Sequence, residues 1–265
     1  MLRSNRTFNS LFCVVVIVGL SVTGTKTYAQ QEKIDQLLQL AEQGNANAQS
    51  NLGAMYVSGE GIPQDYAEAA KWFRLAAEQG EARAQAMLGF MYEGGQGVPQ
   101  DYTEAMKWYR LAAEQGNVVP QYSLGVMYTN GRGVLQDYRE AVKWYRLAAE
   151  QGYAQAQSEL GFMYLQGEGV PQDYAEAAKW SRLAAEQSVA RAQYDLGIMY
   201  YQGYGVLQDY IEAHKWFNLA ASQSSGESYD LAVNGREEIA KKMTTDQIAE
   251  AQRLAREWIK AHEKN

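Results

Sequence analysis

Five acid pairs repeat along the chain at one spacing: Asp65/Glu68, Asp101/Glu104, Asp137/Glu140, Asp173/Glu176 and Asp209/Glu212. Two carboxylates this close could do general acid–base chemistry if their surroundings drove their pKa values apart. Each pair, however, opens an apolar run with helical period. The spacing therefore predicts a capping box, in which the aspartate and the glutamate each accept an otherwise orphaned backbone amide at the helix start. The histidines add little. His214 and His262 stand in no motif, and His214 is expected on a helix surface beside Lys215. No Ser-x-x-Lys, His-Glu-x-x-His or Gly-x-Ser-x-Gly pattern occurs, and the Gly-x-Gly turns lack the strand and third glycine of a dinucleotide site. The reading is of a chain with no catalytic residue, no metal site and no cofactor, expected not to be an enzyme.

The elements that carry these residues follow from a repeat. Tryptophan stands at 72, 108, 144, 180 and 216, a period of 36, and Leu52-Gly53 with Met55-Tyr56 recurs in the same register through Leu196-Gly197 and Met199-Tyr200. Self-similarity at such a period is the mark of a solenoid. Within a unit, Ala48, Leu52, Met55 and Tyr56 lie at helical spacing and predict helix A over about 46–57. Gly59 and Gly61 break it, and helix B follows from Tyr66 to about Gln79. Glycine inside helix A costs about 1 kcal/mol relative to alanine, so Gly53 and its equivalents call for a packing reason. The expected one is close approach of helix B, with Trp72 and Phe73 lying across the missing side chain.

The residues before the repeats read differently. Arg3 and Arg6 precede an apolar run from Leu11 to Leu20, and Thr27-Tyr28-Ala29 offers a small-residue cleavage site, so residues 1–29 are read as a secretory signal peptide. The apolar run is shorter than the roughly 20 residues that span a bilayer, which disfavours an uncleaved anchor and stable membrane insertion after cleavage. Removing 1–29 takes off Arg3, Arg6, Lys26 and no acid, so the formal charge of −7 becomes −10. An acidic chain disfavours nucleic acid as a partner. Cys13 leaves with the signal, so neither disulfides nor thiolate metal sites remain. The expected location is a bacterial periplasm.

The pattern Ala-x3-Leu-Gly-x2-Tyr, then Gly-x-Gly-Val, Asp, Ala, Trp-Tyr/Phe and Ala-Ala, resembles the Sel1-like repeat, a relative of the tetratricopeptide repeat, five times over residues 45–223. The resemblance implies an all-α fold: a right-handed α-solenoid of five 36-residue helix-turn-helix repeats with helical N- and C-terminal caps, its concave face lined by the A helices. The units are placed at 45–80, 81–116, 117–152, 153–188 and 189–224, after a capping half-repeat at 30–44 and before capping helices at 225–265. Thr244-x-x-Gln247 predicts the capping box of the last helix. The resemblance also implies an interaction scaffold or adaptor that holds a protein or peptide partner in its groove; the alternative is an envelope enzyme or glycan-binding protein.

Three departures from the repeat carry expectations. Pro120 in the third A helix predicts a late helix start. Ser181 replaces the aromatic of helix B, and Ser188 replaces the glycine that ends the hairpin at Gly80, Gly116 and Gly152, so the fourth unit is expected to be the loosest packed. Positions that would face the groove by the resemblance read Arg83, Phe90 and Glu93 in unit two; Tyr122, Thr129 and Asn130 in unit three; Phe162, Leu165 and Gln166 in unit four; and Arg191, Tyr194, Tyr201 and Gln202 in unit five. Tyrosine and arginine are the types that carry binding energy at interfaces. The position of Phe90 and Phe162 is apolar in every unit, so packing against the next helix is the alternative there, while loss of Arg191, Tyr194 and Tyr201 is expected to spare the fold.

Export is open to a direct check. N-terminal sequencing of the protein from an envelope fraction should find Gln30 first; intact Met1 in a membrane pellet would overturn the cleaved-signal reading.

Overall fold

The computed structural model describes residues 31–262, so the signal read over residues 1–29 lies outside it. All regular structure among the described residues is helical: α1 over 31–42, α2 Ala46–Ser58, α3 Tyr66–Glu78, α4 Ala82–Gly94, α5 Tyr102–Glu114, α6 Val118–Asn130, α7 Tyr138–Glu150, α8 Ala154–Gln166, α9 Tyr174–Glu186, α10 Ala190–Gln202, α11 Tyr210–Gln223, α12 Glu227–Ala240 and α13 Thr245–His262. The chain divides into two compact units, one through Leu111 and one from Ala112. In the first, α3 packs against both α2 and α4. In the second, α6 to α11 pack each on the next, and α12 and α13 both dock on α11.

The helix-interior glycines have the packing reason the sequence called for. A Cβ on Gly53 would sit 2.9 Å from the Phe73 ring, on Gly89 2.6 Å from Tyr109, on Gly125 2.5 Å from Tyr145, and on Gly197 3.0 Å from Phe217. Real carbon atoms do not approach so closely, so each ring lies flush on the bare backbone of helix A. The aromatic after the tryptophan fills the gap, and the tryptophan does not. Around this contact Ala69 and Ala76 with their equivalents in the later units, and Leu52, Leu88, Leu124, Leu160 and Leu196, are almost fully buried. Burial of each leucine stabilises by about 1.5–3 kcal/mol.

Four sequence expectations are corrected. The acid pairs are caps, but not reciprocal boxes. Asp65 accepts from the amides of Ala67 and Glu68, while its own amide is already taken by the Tyr56 carbonyl at 2.9 Å. Glu68 therefore turns away to Lys71, and Glu176 and Glu212 reach the indole N–H of Trp180 and Trp216 as well as a lysine. The same carbonyl-to-aspartate bond recurs at Tyr92/Asp101, Tyr128/Asp137, Tyr164/Asp173 and Tyr200/Asp209, and it fixes how helix B leaves the loop.

Pro120 does not delay its helix. α6 begins at Val118, in register with the others, because Pro120 falls in the first turn, where a helical N–H has no partner to lose. The fourth unit is not loosened either. Ser181 itself lies against Gly161, with its Oγ 2.6 Å and its backbone nitrogen 3.0 Å from where a Gly161 Cβ would be. His214, expected on the surface, is 2% exposed, because α12 and its Arg236 cover that face of α11.

The caps match the reading. The Thr244 amide donates to Gln247 Oε1 at 2.9 Å, and the Gln247 amide returns to Thr244 Oγ1 at 3.2 Å. Trp258 of α13 meets Trp216 edge to face. At the other end, Ala41 and partly buried Leu37 and Leu38 of α1 cover Ala48 and Leu52.

Ser188 retains the left-handed backbone of the glycine it replaces, with φ 66°. A side chain in that region costs about 1 kcal/mol or more. Ser188→Gly should raise stability by about 0.5–1 kcal/mol in urea unfolding; a fall would show that its side chain makes a compensating contact.

Candidate functional site

Buried polar links hold each hairpin to the one before it. Gln49, Gln85, Gln121, Gln157 and Gln193 are buried, and each donates to a carbonyl at the end of the preceding B helix: Ala41, Ala77, Ala113, Ala149 and Ala185, all at 3.0–3.1 Å. Gln79, Gln151 and Gln187 then donate to the Oε1 of Gln49, Gln121 and Gln157. A Cβ on Gly97, Gly169 or Gly205 would run into the backbone of Tyr66, Tyr138 or Tyr174, so the second glycine of each of these three loops seats it on the preceding hairpin. With these contacts repeating, the variable residues of the A helices are what distinguish one hairpin from another.

In the first unit, Arg83 and Phe90 are two turns apart on α4. Phe90 is 51% exposed, and Arg83 is exposed with Nη1 donating to Asn51 Oδ1 at 3.4 Å. Glu93 is half-buried and accepts the Tyr109 hydroxyl at 2.7 Å, which holds the ring that covers Gly89.

In the second unit the candidates fall into three groups. Tyr122 stacks obliquely on Tyr145 and Tyr153, at 5.7 and 5.2 Å between ring centres, and burial pushes its hydroxyl pKa up. Thr129 is tied to the Gly125 carbonyl at 2.9 Å and lies 3.2 Å from the Tyr145 hydroxyl, while exposed Asn130 donates back to the Val126 carbonyl. Phe162 is half-buried beneath the Arg191 guanidinium, 4.3 Å from the ring centre, and Leu165 is a core residue. Gln166 and Gln202 are exposed.

Tyr194 and Tyr201 depart from the expectation that they are dispensable for folding. Tyr194 is half-buried against Phe217, Ala220 and Ala232, and Tyr201 packs beside Ile239 and accepts from Lys242 Nζ at 2.7 Å. The reason is α12, which lies over this end of α10.

The densest electrostatic group surrounds Arg191. Its Nη1 donates to Glu159 at 3.3 Å, and its Nε lies 3.9 Å from Asp195 Oδ2. Asp195 is 7% exposed, and that oxygen takes no hydrogen bond. Burial pushes its pKa from 3.8 up to about 6, opposed by Arg191 and reinforced by Glu159. A cavity of about 320 Å³ lies alongside, bounded by Ala190, Arg191, Tyr194, Asp195, Ser224, Ser228 and Leu231. Burial also lowers the His214 pKa, with Arg236 adding to the effect; the neutral ring accepts at Nδ1 from Asn218, whose Oδ1 is occupied by Arg236. Among the described residues no group of three or more His, Cys, Asp or Glu could hold a metal ion, and no helix is long and apolar enough to cross a membrane.

The family model of the Sel1 repeat matches residues 46–81, 82–117, 121–153, 154–189 and 190–225. The chain belongs to the Sel1 repeat family. It is an all-α solenoid of the kind that serves in general as a protein–protein interaction scaffold. The chain is similar to a Sel1 repeat protein from Oxalobacter formigenes, at 30% identity and TM-score 0.72 over 92% of this chain and 99% of that one. It also matches c5321, a protective antigen of uropathogenic Escherichia coli with an SLR fold, at 28% identity and TM-score 0.49 over 86% of this chain and 63% of that one. A putative Sel1 repeat protein from Klebsiella pneumoniae matches at 26% identity and TM-score 0.45, over 78% and 99%. No curated protein matches.

Two features of this Sel1 scaffold escaped the sequence reading. The buried glutamines were visible as Gln49, Gln85, Gln121, Gln157 and Gln193, in the same 36-residue register as the tryptophans. Asp195 was also signalled, since its equivalents Asn51, Met87, Ser123 and Glu159 change type while the leucine that follows each does not.

Asp195 has a higher pKa folded than unfolded, so it favours the fold below about pH 4 and loses that contribution as pH rises through about 6. Asp195→Asn should therefore stabilise the protein by about 1–3 kcal/mol at pH 7 and by almost nothing at pH 4. Urea unfolding at the two pH values measures this; an equal effect at both would show that the carboxylate is not desolvated.

Proposed function

We propose that this chain is an exported, non-enzymatic adaptor that binds a protein or peptide partner on the variable face of its A helices. Export rests on the signal-like segment of residues 1–29, and a bacterial periplasm is the compartment proposed. The single observation that carries the binding reading is Phe90, a large aromatic left half in water on a helix whose Ala84, Leu88, Met91 and Tyr92 are buried. Solvent exposure of such a ring has no benefit to the fold, whereas aromatic and arginine side chains dominate binding energy when a partner desolvates them. In the second unit, Arg191 over Phe162 presents the same pair of types, preassembled.

The partner is expected to be complementary in charge. The mature chain would carry about −10, so long-range attraction favours a basic partner surface, and association should slow as salt is raised. Short apolar and aromatic anchors would then set the affinity.

The mature chain, immobilised, should retain a partner from envelope extract. Phe90→Ala and Arg191→Ala should each weaken that binding by about 2 kcal/mol, roughly 30-fold, with unchanged helical circular dichroism. Full retention by both folded variants would move the contact off the A helices.

A further inference from the structure

The cavity beside Asp195 has features that the scaffold does not explain. At the equivalent positions the chain carries Asn51, Met87, Ser123 and Glu159, none of them buried; Asp195 alone is an acid enclosed by protein. A buried carboxylate is costly unless paired and hydrogen-bonded. Here the one facing cation is shared: Arg191 is engaged at 3.3 Å by Glu159 and reaches Asp195 only at 3.9 Å. Two carboxylates around one guanidinium leave a net negative charge, and Asp195 Oδ2 lacks a hydrogen-bond donor. Buried polar groups left in this condition are uncommon and ask for a missing partner.

The space next to the carboxylate suits one kind of partner. Its volume of about 320 Å³ is within the range of ligand pockets, roughly 300–1,000 Å³. Ala190, the Tyr194 ring and Leu231 supply an apolar wall, and Ser228, exposed on α12, stands at its edge. An apolar sleeve leading to an under-neutralised carboxylate matches a side chain with a methylene stem and a cationic head. The acidity of the chain steers the same class of group toward it.

We infer that the cavity formed by α10 and α12 is a specificity pocket for a basic side chain, lysine or arginine, of the protein partner, with Asp195 as its counter-ion and Tyr194 and Leu231 packing on its stem. The inference rests on the interaction-scaffold reading and names one chemical determinant of the partner. It also accounts for α12 lying over α10, since Leu231 and Ser228 close a pocket that the A helix alone would leave as an open surface.

Titration of the full chain with the blocked peptide acetyl-Ala-Ala-Lys-Ala-Ala-amide, against the same peptide with norleucine for lysine, tests the pocket by calorimetry or amide chemical shifts. The lysine peptide should bind at least about ten-fold tighter, an effect of the size expected for a charge-assisted contact. Asp195→Asn should remove that preference while keeping the fold, because it takes away only a buried charge. Ser228→Trp, at the exposed rim, should block both peptides. Absence of a lysine preference in the wild-type protein, or its persistence in Asp195→Asn, would overturn the pocket. Phe90→Ala separates the two readings, since it lies in the other compact unit. If it still weakens partner capture while the lysine preference is missing, the pocket fails and the scaffold reading stands; if the lysine preference holds but Phe90→Ala has no effect on capture, the pocket stands and Phe90 loses its role.

Discussion

An aromatic ring resting on a helix with no side chain beneath it sets the geometry of this protein. Phe73 on Gly53, Tyr109 on Gly89, Tyr145 on Gly125 and Phe217 on Gly197 bring two helices close enough for alanines to interlock on either side. Close-packed interiors tolerate neither a void nor an overlap at such a point. Each ring therefore requires its glycine, because a larger residue there would collide with it. The fourth hairpin lacks the ring. Ser181 takes the place of the ring on Gly161, its Oγ 2.6 Å and its backbone nitrogen 3.0 Å from where a Cβ would be.

The hairpins are joined by contacts of a different kind. A buried glutamine gives a second hydrogen bond to a carbonyl that ends the preceding helix and already accepts a backbone amide, and a loop glycine lets the loop rest on the backbone of the preceding hairpin. These contacts use backbone atoms, which every residue has. That is why the A-helix face can vary from Phe90 and Arg83 to Tyr122 to Phe162 while these contacts repeat, and why the partner face is proposed there.

The last A helix is the exception, because its variable face is not free. α12 covers Tyr194 and Tyr201 and encloses Asp195, converting a surface into a cavity with a carboxylate in its wall. The terminal cap thereby does two things: it shields the apolar face that a solenoid must end on, and it changes the dielectric around one acid enough to raise its pKa to about 6.

Much of this was legible in the sequence. A 36-residue period in Trp, Leu-Gly and Met-Tyr specified five helical hairpins, and Asp65 and its equivalents marked where each B helix starts, because local spacing and capping chemistry are properties of the chain itself. The all-α fold class and the Thr244/Gln247 cap were read correctly for the same reason. What the chain could not show was decided by neighbours distant in sequence. Whether Glu68 closes its box depended on the Tyr56 carbonyl having already taken the Asp65 amide; whether His214 is buried depended on Arg236 and α12; whether Tyr194 is an anchor or core depended on Phe217 and Ala232. Periodicity assigns a residue to a face, but only the packed structure determines what covers that face, and coverage is what sets the solvation, and hence the energy, of each group upon it.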